Sequence, residues 1–139
     1  MLTHRFIDEL LTLERDQTFC GQDIVGENRV LIIGTFNPSD EAYPDPTNNA
    51  EWFYGRTSKN KFWHYFPNSL TNESLHPSRE QNGGVESWKE YCRQQRVVII
   101  DMIKTINHPE IITSQKDGEL ERRILPDLSN VDYFQIEQA

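Results

Sequence analysis

Two short apolar runs end in residues able to do chemistry. Arg29-Val30-Leu31-Ile32-Ile33-Gly34 opens into Thr35-Phe36-Asn37-Pro38, and Arg96-Val97-Val98-Ile99-Ile100 closes on Asp101. At the first end, glycine permits a tight turn and close backbone approach, Thr35 and Asn37 offer hydrogen bonds, and Pro38 fixes the turn. At the second, a carboxylate either orients a polar group or caps a following helix, and for Asp101 taken alone capping is the plainer expectation. The glycine loop lacks the Lys-Ser/Thr ending of a phosphate-binding loop and the spaced glycines of a dinucleotide fingerprint, so neither nucleotide reading applies.

A second concentration lies between Glu51 and Phe66. Trp52, Phe53, Tyr54, Phe62, Trp63, Tyr65 and Phe66 are interleaved with Arg56, Lys59 and Lys61. Rings beside cations suit a single-stranded or flipped base, while the plain alternative is that they are core. His4, His64, His76 and His108 show neither an i, i+4 pair nor a zincin glutamate, so no metal site is expected and core or surface positions account for them. Cys20 and Cys92 have no C-x-x-C spacing, which argues against structural zinc and against a secreted disulfide scaffold.

The elements that must hold these residues follow from periodicity. Phe6, Leu10 and Leu13, with Ile7 and Leu11 beside them, mark an amphipathic helix in the first fifteen residues. The two apolar runs lack alternation and read as parallel strands covered on both faces. Between them, Thr35–Ala50 is loop, broken by Pro38, Pro44 and Pro46. A helix carrying Phe62, Trp63 and Phe66 follows, limited by Pro67, and another spans Val85–Gln95. This order predicts an α/β unit with a crossover connection. Past Asp101, Met102, Ile103 and Ile106 suggest a turn or short helix, Ile111-Ile112 and Glu119–Leu125 are read as helical, and Val131–Ile136 as the start of another strand.

Composition bounds the function. The 139 residues suffice for one core, and no apolar stretch approaches the roughly 18–20 residues that cross a bilayer. With no signal-peptide pattern at the start, the expectation is a soluble cytoplasmic domain over residues 1–139. The net charge of −8 disfavours non-specific nucleic-acid binding, yet it is uneven: −6 over residues 1–50, +2 over 51–100 and −4 over 101–139. The basic third is the one that holds the aromatics.

The succession Leu31-Ile32-Ile33-Gly34-Thr35-Phe36-Asn37-Pro38, then Phe53-Tyr54-Gly55-Arg56, then Asn60-Lys61-Phe62-Trp63 resembles the uracil-DNA glycosylase superfamily, most closely its mismatch-specific and hypoxanthine-type branches. Those enzymes pair a strand ending in a Gly-x-x-Pro-like turn with an aromatic pair and an Asn-x-Phe-Trp helix start. The likeness covers roughly residues 4–106. It implies an α/β fold, three-layer α/β/α around a short parallel sheet, and hydrolysis of the N-glycosidic bond of a deaminated base, uracil or hypoxanthine, without metal or cofactor.

Such an enzyme extrudes a nucleotide, stacks its base, reads the base edge and positions water. Carried onto this chain, the resemblance makes Asn37 or Asn60 the catalytic amide and Phe36 or Tyr54 the stacking ring. Gly34, Thr35 and Pro38 would complete the base-binding wall, Arg56 and Lys59 would meet DNA phosphates, and Asp101 would support the site. The proline stands one position later than in the family pattern, so Phe36 and Asn37 both remain occupants of the catalytic slot. The family's DNA-gripping loop follows its last strand, whereas His76-Pro77-Ser78 lies between the first two strands and is read as coincidental. The chain is therefore expected to be the N-terminal portion of the fold, with an uncovered edge along its second strand that invites self-association. The rival is a non-catalytic module of the same fold that binds a nucleobase, a nucleotide or a protein. A third class is a structural protein whose aromatics are only core.

Overall fold

The N-terminal helix begins later than its apolar pattern, because the first residues have another use. In the computed structural model, which describes residues 1–24, 26, 28–39, 50–55, 61–73, 75, 84–116, 118–125 and 128–136, Leu2–Thr3 form strand β1, and helix α1 spans Ile7–Asp16. Leu10 and Leu13 are its buried face. Asp8 and Glu9 in the first turn and Arg15 in the last complement the helix dipole. A two-residue hairpin follows, β2 (Thr18–Phe19) and β3 (Gln22–Asp23), whose turn residues Cys20 and Gly21 both have positive φ, as the twist of a tight hairpin requires.

The two apolar runs are β4 (Val30–Gly34) and β5 (Val97–Asp101), paired in parallel from Val30↔Val97 to Gly34↔Asp101. The register brings both strand ends side by side. Between them run α2 (Phe62–Thr71) and α3 (Gly84–Gln95). Of the two strands, β5 is the one buried over most of its length. In β4 the odd positions face outward, with Leu31 38% and Ile33 59% exposed, so the expectation of cover on both faces fails for that strand. The open apolar side chains therefore lie on the first strand of the pair, while those of the second are almost all buried.

Pro67 does not end α2. The helix continues one further turn to Thr71 and stops at Asn72 in the left-handed conformation. Trp63 and Pro67 are the buried positions of this helix, and Trp63 Nε1 donates to the Phe53 carbonyl at 2.7 Å. That packing outweighs the lost backbone donor.

The later segments are strands rather than helices. Beyond Asp101, Met102 N–H donates to Gly34 O and Ile103 N–H to Thr35 O, which carries the chain forward in extended form into β6 (Ile103–Ile106). The residues Glu110–Lys116 and Glu119–Leu125 form a long antiparallel hairpin, β7 and β8, turning at Gly118 with φ +80°. After a 3-10 turn at Leu128–Asn130, β9 (Val131–Tyr133) is a strand as the sequence suggests, and it pairs with β6 in the sheet β1-β6-β9. The fold is thus mixed α/β with small sheets, one of them parallel.

Most of the aromatic stretch is core. Phe19, Trp52, Trp63 and Trp88 form a continuous stack with successive centroid distances of 5.9, 5.6 and 5.5 Å. The indole N–H of Trp52 is satisfied by Glu9 at 2.5 Å. Gly55 is required here by close approach, since a Cβ would lie 2.6 Å from the Trp88 ring.

Candidate functional site

The paired ends of β4 and β5 enclose a cleft of about 270 Å³. Gly34, Thr35, Phe36, Asn37 and Pro38 form one wall, Ala50, Phe53 and Tyr54 another, and Asp101 the end of β5. This is the position at which α/β sheets bind ligands, outside the carboxyl ends of parallel strands.

Residues 35–39 form no regular strand, but they are pinned on both sides. Arg5 N–H donates to Asn37 O at 2.7 Å, Ser39 N–H donates to Thr3 O at 2.9 Å, and His4 bridges to Pro38. On the other side Thr35 O accepts from Ile103. Phe36 packs on a small second core with Leu2 and Ile106. The wall is therefore held by β1 and by the chain leaving β5, two segments nearly a hundred positions apart.

Gly34 is set by its neighbours, not by its φ. A Cβ there would overlap Asp101 Oδ1 and stand 3.1 Å from the Tyr54 hydroxyl. Tyr54 reaches the cleft through a left-handed backbone (φ 58°), uncommon for a bulky residue. Its ring lies 4.5 Å, centroid to centroid, from that of Phe62. Burial, and secondarily the charge of Asp101, push its phenol above the usual tyrosine range.

Asp101 is not a helix cap, because a strand follows it. Asp101 is 6% exposed, and its Oδ2 lies 2.6 Å from His4 Nε2. His4 is itself 1% exposed, surrounded by the rings of Phe6, Phe36, Phe53 and Phe134 at centroid distances of 5.8–6.2 Å. Its Nδ1 accepts the Phe6 N–H at 2.9 Å. From the sequence this histidine reads only as a core or surface position. Its only sequence signal is a polar residue directly before an amphipathic helix.

Of the residues singled out from the sequence, Gly34, Thr35, Phe36, Asn37, Pro38, Tyr54 and Asp101 meet in this cleft. Arg56, Lys59, Asn60 and the His76-Pro77-Ser78 segment lie outside the described residues. Among the described residues no three His, Cys, Asp or Glu side chains cluster as metal ligands, and no helix is long and apolar enough to cross a membrane.

A second cleft, about 420 Å³, is lined by Glu9, Cys20, Lys89 and Arg93 among others. Arg93 is paired with Glu90 at 2.8 Å and with Glu86 at 3.8 Å. Both cysteines are free thiols. Burial, then the negative charge of Glu9, push Cys20 up to about 12, and burial drives Cys92 further in the same direction. Thiols so protonated are poor nucleophiles.

Compared with known proteins, the chain matches no family model, no curated protein and no solved structure.

Proposed function

We propose that the cleft at the ends of β4 and β5 is the base pocket of a DNA glycosylase that removes uracil or hypoxanthine. The observation that carries the reading is that the strand-end residues Gly34–Pro38, Tyr54 and Asp101, drawn from separate parts of the chain, line one cleft. Its volume sits just below the roughly 300 Å³ at which small-molecule sites begin, the scale of a single heterocycle.

In this reading the nucleotide is flipped from the strand, and its base enters against Phe36 or Tyr54. Asn37 or Asn60 orients a water molecule toward the sugar. The water oxygen bonds to C1′ as the C1′–N bond breaks, the bonding pair leaves with the base, and the water's protons end on the base and on the new sugar hydroxyl. Arg56 and Lys59 belong to the DNA-phosphate contact, and the partner is DNA carrying the deaminated base. The resemblance extends the observed α/β fold to a three-layer α/β/α arrangement. We also take its setting to be the cytoplasm, in keeping with two free thiols.

The test is excision from labelled oligonucleotides carrying uracil or hypoxanthine, single-stranded and mispaired. Release of the base with an alkali-labile site is expected. Binding of the oligonucleotide without release would favour the rival, a non-catalytic base-binding module, which the net charge of −8 also suits.

A further inference from the structure

We propose that His4 is a positioning residue of the cleft: its single permitted tautomer aims the Nε2 proton at Asp101 Oδ2 and leaves Oδ1 of that carboxylate presented among the cleft-lining residues, so that this end of the cleft takes a neutral heterocycle bearing N–H and turns away anions. This deepens the glycosylase reading and rests on it for the identity of the heterocycle.

A backbone N–H can only donate, so the Phe6 N–H at 2.9 Å requires a lone pair on His4 Nδ1. The ring proton must then sit on Nε2, where it is donated to Asp101 Oδ2 at 2.6 Å. The opposite tautomer would set two N–H groups against each other at Nδ1 and two lone pairs against each other at Nε2. A doubly protonated ring would still oppose the Phe6 N–H. The imidazole is therefore neutral, and its one N–H is donated to Asp101.

Only one oxygen of that carboxylate is engaged by His4. Oδ1 lies where a side chain at position 34 would stand, beside the Tyr54 hydroxyl, and Gly34, Tyr54 and Asp101 all line the cleft. A buried anion is costly unless it is hydrogen-bonded. A donor carried by the ligand lowers that cost, and a phosphate or carboxylate raises it. His4, walled by four aromatic rings, has little freedom to release Oδ2.

The first arm of the test reads the histidine directly. Long-range nitrogen–proton correlation spectra of the full chain are expected to show His4 protonated at Nε2 and unprotonated at Nδ1. A proton on Nδ1 would overturn the proposal, whether or not the protein excises bases.

The second arm compares His4→Gln, whose amide can still donate to Asp101, with His4→Phe, which keeps the ring and removes both nitrogens. Loss on the order of 100-fold in kcat with KM little changed is expected for His4→Phe, and near-complete rescue for His4→Gln, as for a misplaced active-site group. Equal loss in both variants, or full activity of His4→Phe, would contradict the proposal. The same variants are titrated with free hypoxanthine, uracil and inorganic phosphate. Tenfold weaker base binding in His4→Phe than in His4→Gln, with phosphate leaving the cleft resonances unmoved, is the expected pattern, and phosphate binding at Asp101 would refute it. If the unaltered protein binds bases but releases none, the glycosylase reading falls while the spectra and titrations still decide the role of His4.

Discussion

The aromatic stack and the cleft are built from the same short stretch of chain and put it to opposite uses. Trp52 and Phe53 are 2% exposed and belong to the core, whereas the next residue, Tyr54, turns into the cleft. The turn is made by the left-handed backbone of Tyr54. In the stack, the indoles of Trp52 and Trp63 are satisfied inside the protein, by Glu9 and by a backbone carbonyl. In the cleft, the residues that carry a carboxylate and a phenol, Asp101 and Tyr54, line the wall. Aromatic residues thus fill one region and frame the other, and the difference lies in what polar groups accompany them.

The largest expected effect is in the stack. Trp63→Ala removes a ring in contact with Trp52 and Trp88 and should cost about 3–5 kcal/mol, read as a large drop in the denaturation midpoint. A loss under about 1 kcal/mol would mean that the stack is not the stabilising centre.

Gly34→Ala drives a methyl group into Asp101 and should cost about 1–3 kcal/mol through overpacking. Base binding should fall at least tenfold beyond what partial unfolding explains. Unchanged binding would separate Gly34 from the site. Asn37→Ala should abolish excision, while the backbone hydrogen bond from Arg5 N–H to the carbonyl of residue 37 survives the substitution. Unaltered excision by this variant and by Asn60→Ala would remove both amides from the mechanism.

The smallest effect concerns Cys20. Its thiol is held protonated up to about 12 in the folded chain, so the unfolded chain loses that proton first as pH rises past 9. Stability should therefore fall with rising pH between those values, and Cys20→Ser should flatten the fall. An identical pH dependence in the variant would show that other groups, Cys92 and the buried tyrosines among them, account for all of it.

How much of this was legible depends on how far apart the causes lie in the chain. The helix with Trp88, Tyr91 and Cys92 inward, and both parallel strands, declare themselves through local apolar pattern. Asp101 and the residues after Gly34 meet because adjacent parallel strands end in register, which the sequence does suggest. The strand from Ile103 to Ile106 does not show in its local pattern because its partners are Leu2–Thr3 and Val131–Tyr133, at the two extremes of the chain. The hairpin of Glu110–Lys116 and Glu119–Leu125 is ambiguous in sequence although Asp-Gly is a hairpin dipeptide, since its short apolar runs fit either period. His4 and Asp101 are 97 positions apart, and no spacing rule joins them.

The central claim is that the cleft between the ends of the parallel strands binds a nucleobase. Amide chemical-shift mapping of the full chain during titration with free hypoxanthine and uracil tests it most directly. The account predicts shifts concentrated at Gly34–Asn37, Tyr54 and Asp101, with the stack around Trp63 and the cleft around Cys20 unmoved. Saturating base with no change at the strand ends, or with changes centred on Cys20, Lys89 and Arg93, would contradict it.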